Sequence, residues 1–154
     1  MAKAMFLMYV TTGLRRKELL ALKKSEIDFD MRMVAPQGTN SATKHTWITF
    51  YNFEAEGMLK LYLKDHSHER IFPVTEVYFR KRYKKINQRL STNITPQRLR
   101  EWFCNEMGEL SVPDRYIDAF CGRVPRSILA RHYTDYSPER LKRIYDKANL
   151  KVLS

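Results

Sequence analysis

Cysteine and glycine are scarce in this 154-residue chain, and both shortages exclude classes of function. The two cysteines, Cys104 and Cys121, lie far apart in sequence and outside any C-x-x-C pair. Neither a disulfide scaffold nor a structural zinc site is therefore predicted, and we interpret both as ordinary buried thiols. The five glycines form neither G-x-G-x-x-G nor a P-loop, which argues against a nucleotide-driven enzyme. The four histidines are not spaced as metal ligands.

Long hydrophobic runs and acidic residues are also in short supply. No apolar run approaches the length of a bilayer span, and the N-terminal "AMFLMYVTTG" is too short, and too soon followed by charge, to be a signal sequence. Asp and Glu number 17 against 28 Lys and Arg, so the chain carries a net charge of +11. Such a surface attracts polyanions, and we expect nucleic acid rather than a membrane as the partner.

The patterning that is present predicts one compact α+β domain that is mostly α-helical. An apolar helix is predicted over about 2–10 and a second helix over about 14–24. A small antiparallel β-hairpin should follow, because "IDFDMRMVA" and "HTWITFY" alternate in part and flank the turn-rich "PQGTNSATK". Helices are predicted over about 52–64 and 75–90, and later where Thr95-Pro96, Pro113 and Ser137-Pro138 give helix starts, with Gly122 as a C-cap.

Two arginines occupy unexpected places on predicted helices. In "TTGLRRKELLAL", Arg15 shares a helical face with Glu18 and Leu19, which puts its charge on or beside the inward side. Arg100 flanks an apolar stripe in the same way, near the start of the helix that follows Pro96. One explanation for Arg15 is an ion pair with Glu18, or a stem that reaches out to water. The other is that the charge binds an anion carried by a ligand.

Taken in chain order, these segments resemble the catalytic domain of tyrosine recombinases, the integrase family. "TGLRRKELLAL" looks like the first signature, T-G-L-R-x-x-E-L, with Arg15 and Glu18 on its charged positions. The β-hairpin resembles the one that carries the catalytic lysine, for which Lys44 is the match. "TPQRLREWF" is similar to H-x-L-R-x-x-F and places Arg100 on its arginine and Gln97 on its histidine. The pattern is most similar to integrases of spindle-shaped archaeal viruses.

The closing signature of the family is the one from which this chain departs most. "CGRV" followed by "ARHYTDY" makes Arg123 the match for the usual His or Trp and Tyr133 the match for the nucleophile. Tyr133 follows Arg123 by about one residue more than is usual, so Tyr136 stays as the runner-up nucleophile. Gln97 can donate a hydrogen bond but cannot accept a proton as a base, and Arg123 adds a permanent cation.

The resemblance implies a site-specific recombinase that cleaves and rejoins DNA strands through a 3′-phosphotyrosyl intermediate. Tyr133 would be the nucleophile and Lys44 the general acid on the departing 5′-oxygen. The transition state would be stabilised by Arg15, Arg100 and Arg123, with Glu18 supporting Arg15. No cofactor and no metal would be needed, because strand rejoining is the reverse attack. The alternatives are a non-catalytic module that binds and bends DNA, and a strand-relaxing activity like that of type IB topoisomerases.

The resemblance also implies partners and domain organisation. We expect residues 1–154 to be a single catalytic domain, without the additional N-terminal DNA-binding domain of full-length family members. Double-stranded DNA is the expected ligand, bound by a homo-oligomer on paired sites. The last predicted helix has an apolar stripe that could pack within its own chain or dock on a neighbour. The expected location is the cytoplasm of a prokaryotic, archaeal host, on host or viral DNA.

Overall fold

Helices dominate the fold, as the sequence predicts. The computed structural model describes residues 1–36, 47–123 and 127–153. Within these stretches the helices are α1 (Ala2–Thr12), α2 (Arg16–Ala21), α3 (Phe53–Leu63), α4 (Glu76–Leu90), α5 (Pro96–Glu109), α6 (Asp114–Phe120), α7 (Ile128–His132) and α8 (Pro138–Ala148). A 3₁₀ turn (Lys24–Glu26) precedes the strands β1 (Ile27–Asp28), β2 (Met33–Val34) and β3 (Thr49–Phe50). None of these described helices is long and apolar enough to cross a membrane.

The small antiparallel sheet differs from the predicted hairpin in one respect. The segment "IDFDMRMVA" is not one strand, because it folds into β1, a tight turn and β2, and β2 then pairs with β3. The carboxylate of Asp28 accepts the backbone N–H groups of Asp30 (3.0 Å) and Met31 (2.9 Å). Aspartate commonly forms such turns with the backbone that follows it, and this turn reverses the chain earlier than the alternation indicates.

Helix starts agree with the predicted caps, except at α2. The hydroxyl of Thr95 accepts the N–H of Arg98 (3.2 Å), and that of Ser137 accepts the N–H of Arg140 (3.4 Å), as expected for N-caps. The second helix is much shorter than predicted. It begins only after Arg15, which has an extended backbone (φ −74°, ψ 152°) and serves as the N-cap itself.

The hydrophobic core has two parts that meet beside the sheet. The first surrounds α1, whose apolar side chains are almost all buried and which packs against α3 and α5. The second part joins α5, α6 and α8 around the rings of Phe50, Phe103, Phe120 and Tyr145. The apolar stripe of α8 (Leu141, Tyr145, Ala148) is buried in this second part, so it packs within its own chain.

The C-terminal end of α1 ties distant segments together. Three consecutive backbone carbonyls, residues 11–13, each accept a hydrogen bond from a side chain that is remote in sequence. The Tyr145 hydroxyl donates to the carbonyl of residue 11 (2.6 Å), and the Thr49 hydroxyl donates to that of residue 12 (2.7 Å). The Arg100 guanidinium donates to the carbonyl of Gly13. Carbonyls at a helix end lack partners within the helix, so these donors satisfy them and fix β3, α5 and α8 around one point.

Gly13 is required at this point for two reasons. Its backbone is left-handed (φ +65°), a conformation that favours glycine at a helix C-terminus. In addition, an added Cβ would lie 2.8 Å from the ring of Phe103 and 3.1 Å from the sulfur of Cys121. The glycine of "TTGLRR" therefore lets α1 end directly against α5 and α6, which brings Arg15 and Arg100 to the same region.

Candidate active site

A cationic cleft lies between α2, α4 and the start of α5. Its volume is about 920 Å³. One acidic side chain, that of Glu18, lines this cleft together with six basic ones, which belong to Arg15, Arg16, Lys17, Arg80, Lys84 and Arg100. Such an excess of positive charge in a concave surface suits a ligand with several negative charges, such as a nucleic-acid backbone.

Arg100 is the most firmly held of these cations. Its side chain is only 6% exposed, and its Nη2 donates to the backbone carbonyl of Cys121 at 2.8 Å while its Nη1 donates to the carbonyl of Gly13. Both partners are neutral carbonyl groups, so they orient the guanidinium without neutralising its charge. The sequence predicts that Arg100 flanks the apolar stripe of its helix, whereas the structure buries its side chain. The guanidinium is therefore ordered before any anion arrives.

Arg15 is held in a different way from the one that the sequence predicts. It does not lie on the inward face of a helix, since it precedes the first turn of α2 and its side chain is 42% exposed. Glu18, which is buried, accepts the Arg15 backbone N–H at Oε2 (2.6 Å) and the Arg15 Nη1 at Oε1 (3.0 Å). The expected Arg15–Glu18 contact therefore exists, and it closes the helix end while it points the guanidinium into the cleft.

Gln97 also lines the cleft, one turn before Glu101 on α5. Its Nε2 donates to the carboxylate of Glu101 at 3.0 Å, and its side chain is exposed. The residues that the first two signatures single out, Arg15, Gln97 and Arg100, are thus brought together in one cleft.

The floor of the cleft is aromatic, which sequence reasoning missed. The rings of Tyr9 and Phe79 lie 6.4 Å apart, and those of Phe79 and Tyr83 lie 4.6 Å apart. Burial raises the pKa of Tyr9 to about 12 and also raises the pKa of Tyr83. These phenols remain protonated at neutral pH. The i, i+4 spacing of Phe79 and Tyr83 on α4 was the available signal.

Arg123 lies beside this cleft and not in its lining. Its Nη1 pairs with the carboxylate of Asp118 at 3.2 Å, and its Nη2 lies 3.8 Å from the sulfur of Cys104. The interpretation of both cysteines as ordinary buried thiols is correct for the burial of Cys121 and wrong for Cys104, which is partly exposed. The two sulfurs lie 3.4 Å apart. Since the carbonyl of Cys121 binds Arg100, the cysteine pair stands between the two predicted catalytic arginines.

The predicted nucleophile lies outside the cleft. Tyr133 directly follows α7, and its side chain is 78% exposed while its backbone N–H donates to the carbonyl of Leu129 at 3.0 Å. Tyr136 is only partly exposed, and its ring meets that of Tyr116 edge-on with centroids 6.1 Å apart. The predicted general acid, Lys44, falls outside the described residues. The expected convergence of cations and phenol is therefore seen for Arg15 and Arg100 and not for Tyr133.

Residues 1–140 match the phage integrase family. The chain belongs to this family. The tyrosine recombinase XerA of Thermococcus onnurineus (strain NA1) is 29% identical over 162 residues, which cover 96% of this chain and 55% of that protein. The tyrosine recombinase XerA of Thermococcus kodakarensis is 27% identical over 149 residues, which cover 90% of this chain and 52% of that protein. The chain thus spans about half the length of the curated relatives that it matches.

Solved integrase-family structures have the same fold. The crystal structure of a XerA recombinase matches with a TM-score of 0.69 and 18% identity, over 97% of this chain and 58% of that one. The Tn1549 transposon integrase in complex with circular intermediate DNA matches with a TM-score of 0.61 and 17% identity, over 92% of this chain and 56% of that one. The mostly helical fold with a small antiparallel sheet is therefore that of the integrase catalytic domain.

Proposed function

We propose that this chain is the catalytic domain of a site-specific DNA recombinase that cleaves and rejoins DNA strands through a 3′-phosphotyrosyl intermediate. The observation that carries the proposal is the convergence of Arg15 and Arg100 on one cationic cleft, with Arg100 held by neutral carbonyls alone. Membership of the phage integrase family and the likeness to two tyrosine recombinases support it.

The two arginines suit the transition state of phosphodiester cleavage. Attack on phosphorus spreads additional negative charge over the non-bridging oxygens, and fixed cations at those oxygens lower the barrier. A guanidinium can bind two oxygens through paired hydrogen bonds, which a lysine ammonium cannot do. Arg123, adjacent to the cleft, would add a third cation once DNA is bound. Gln97 would donate a hydrogen bond to the phosphate and would not act as a base.

Tyr133 is the proposed nucleophile because its phenol is free to approach the DNA. Its oxygen would attack phosphorus, the bond from phosphorus to the 5′-oxygen would break, and a 3′-phosphotyrosine and a 5′-hydroxyl would result. The tyrosines that line the cleft are poorer candidates, since Tyr9 is 2% exposed and burial raises its pKa to about 12. Tyr136 packs against Tyr116 and remains the runner-up.

Lys44 is the proposed general acid, which protonates the departing 5′-oxygen. Trp47, three residues further along the chain, packs so closely on Gly122 that a methyl group there would overlap its ring. Trp47 therefore lies beside the segment that carries Arg123, and it is the first described residue after Lys44.

We further propose that the chain is the catalytic part of a longer recombinase with an N-terminal DNA-binding domain. Double-stranded DNA is the proposed substrate, bound by several copies on paired sites in an archaeal host. The Tn1549 neighbour was determined in complex with DNA, which supports this ligand class. Docking of α8 on a neighbour would require it to leave its own core, where Leu141 and Tyr145 are buried.

A covalent-trapping assay tests the proposal. The protein is incubated with a pool of nicked duplexes of randomised sequence. After cleavage close to the nick, the short fragment with the free 5′-hydroxyl diffuses away and cannot be rejoined, so the adduct is trapped. Denaturing electrophoresis should show a protein–DNA adduct, and peptide mass spectrometry should place the DNA on Tyr133. Tyr133→Phe should lower the adduct yield at least about 10³-fold, because it removes the nucleophile.

Tyr136→Phe is the matched control and should change the adduct yield less than about three-fold. An adduct that persists in Tyr133→Phe and disappears in Tyr136→Phe would transfer the nucleophile to the second tyrosine. DNA binding without any adduct in the wild type would contradict the enzymatic proposal and favour the non-catalytic DNA-binding module.

A further inference from the structure

The cysteine pair between Arg100 and Arg123 has no part in the proposed strand cleavage. The two sulfur atoms are 3.4 Å apart, and these are the only two cysteines of the chain. Each is joined to a predicted catalytic arginine. The carbonyl of Cys121 accepts Arg100 Nη2 at 2.8 Å, and Cys104 Sγ lies 3.8 Å from Arg123 Nη2. A chemical change in the pair would therefore act on both guanidinium groups.

The two thiols differ in pKa and in exposure because their surroundings differ. A hydrogen bond with Cys121 lowers the pKa of Cys104 below its ordinary value despite partial burial, and the Arg123 and Arg100 guanidinium groups add to this effect. The same hydrogen bond, together with deeper burial, raises the pKa of Cys121. Cys104 is also the partly exposed member of the pair, whereas Cys121 is buried. An accessible thiolate beside a protonated thiol is the arrangement in which peroxides react with the first and the second resolves the product.

We propose that Cys104 and Cys121 form a reversible dithiol–disulfide switch that is oxidised by hydrogen peroxide and that disables the phosphate-binding arginines. The Cys104 thiolate attacks one peroxide oxygen, the O–O bond breaks, and a sulfenic acid and hydroxide form. The Cys121 thiol then attacks the sulfenic sulfur, the S–O bond breaks, and a disulfide and water result. Two electrons pass from the cysteines to the peroxide.

The disulfide would disturb both arginines through the contacts described above. Its S–S bond is about 2.05 Å long, so the two sulfurs must approach each other from their present separation. That approach moves Cys121, which caps α6 and supplies a carbonyl to Arg100, relative to α5, which carries both Cys104 and Arg100. It also removes the thiolate that Arg123 faces. The inhibitory part of this inference rests on the proposed function, whereas disulfide formation does not.

The first experiment measures disulfide formation without reference to activity. The reduced chain is treated with hydrogen peroxide, and free thiols, intact mass and migration on a non-reducing gel are recorded. We expect both thiols to disappear together, the mass to fall by two hydrogen atoms, the chain to stay monomeric and dithiothreitol to reverse all three changes. Cys104→Ser should leave Cys121 unmodified. Stable oxygen addition to Cys104, a disulfide-linked dimer or no reaction would overturn the switch.

The second experiment measures the trapped adduct in the oxidised and reduced forms of each protein. We expect oxidation to lower the wild-type adduct yield at least about ten-fold, because two transition-state cations are displaced, and dithiothreitol to restore it. Cys104→Ser, compared with itself, should give the same yield in both conditions. Disulfide formation without a change in adduct yield would overturn the coupling to the site. If the reduced wild type forms no adduct, the proposed function fails while the thiol measurements still decide the disulfide.

Discussion

The proposed phosphate-binding arginine, Arg100, and the proposed nucleophile, Tyr133, are held very differently in the free chain. Arg100 lies on the 14-residue helix α5, is 6% exposed and donates to two backbone carbonyls. Tyr133 follows the five-residue helix α7 and is 78% exposed. The proposed phosphate-binding arginine is thus built into the core, while the proposed nucleophile lies outside the cleft. In the proposed reaction, DNA would meet a cation that is already in place and a tyrosine that has yet to be positioned.

This difference has a physical basis in the energetics of buried charge. A buried guanidinium with a carboxylate partner would have its charge neutralised, and one without hydrogen bonds would be costly. The carbonyls at Gly13 and Cys121 avoid both outcomes, since they follow helix ends whose dipoles favour a cation. A catalytic cation fixed in this way needs no reorganisation when the transition state forms. A phenol kept outside leaves the cleft open to the incoming backbone.

Among substitutions in the phosphate-binding part of the site, the largest effect is expected from Arg100→Lys. The ammonium cannot bridge the two carbonyls and bind paired phosphate oxygens at once, so the single-turnover rate of adduct formation should fall by about 10²–10³. The loss of donors to buried carbonyls should also lower the free energy of unfolding by about 1–3 kcal/mol, measured with urea.

Arg98→Lys is the matched control for this substitution. Arg98 is exposed on the same helix, where its Nη1 donates to the carbonyl of Asn93 at 3.0 Å. It should change the rate by less than about three-fold, as expected of a side chain with no catalytic role. No loss in Arg100→Lys would mean that positive charge alone, and not the fixed guanidinium geometry of Arg100, supports the reaction. An equal loss in both variants would mean that the effect is not specific to the position of Arg100.

A smaller effect is expected from Lys44→Ala, and a modified substrate can show whether the loss of rate comes from the missing general acid. Loss of a general acid should slow adduct formation by about 10²-fold on ordinary DNA. A substrate with sulfur at the bridging 5′ position should remove most of this loss, because a thiolate leaves without being protonated. Lys60→Ala on α3, which pairs with Glu56 at 2.5 Å, is the control. Equal losses of Lys44→Ala on both substrates would contradict the acid role.

Local chemistry made much of the fold predictable from sequence. Thr95 and Ser137 cap their helices, and the helix starts follow directly from these side chains and the prolines after them. The start of α2 was placed wrongly because periodicity indicates a face and not a first residue. Glu18 accepts the backbone N–H of Arg15 and caps the N-terminus of α2, so the helix begins at Arg16, after the position that the apolar spacing indicates.

The sequence could not predict those features of the candidate site that depend on tertiary packing. The order of the motifs identified Arg15, Gln97 and Arg100, which do line one cleft. The separation of Cys104 and Cys121 along the chain gave no sign that their sulfurs meet, because that depends on how α5 packs on α6. The position of Tyr133 relative to the cleft depends on packing for the same reason. A motif identifies a residue type and not its distance from a partner.

The smallest effect is expected at the C-terminal tail after α8, whose backbone is hydrogen-bonded to the start of α3. The Glu54 carboxylate accepts the backbone N–H groups of Val152 (2.8 Å) and Leu153 (2.9 Å), and the Asn52 amide donates to Glu54 (2.8 Å) and to the carbonyl of Leu150 (3.0 Å). Burial opposes these hydrogen bonds, yet together they lower the pKa of Glu54 from its ordinary 4.5. Glu54→Gln should therefore lower the free energy of unfolding by about 1 kcal/mol at pH 7.

The stability that Glu54 contributes should depend on pH, in the direction set by its lowered pKa. Because the folded pKa of Glu54 lies below the unfolded value of 4.5, its stabilisation is complete above pH 4.5 and is lost as the pH falls through the folded pKa. Urea unfolding of wild type and Glu54→Gln should accordingly converge in acid, whereas Glu109→Gln, exposed at the end of α5, should match wild type throughout. Adduct formation should be almost unchanged in Glu54→Gln. A large loss of adduct would mean that the tail anchor also positions Tyr133, so that the nucleophile is less independent of the core than its exposure indicates.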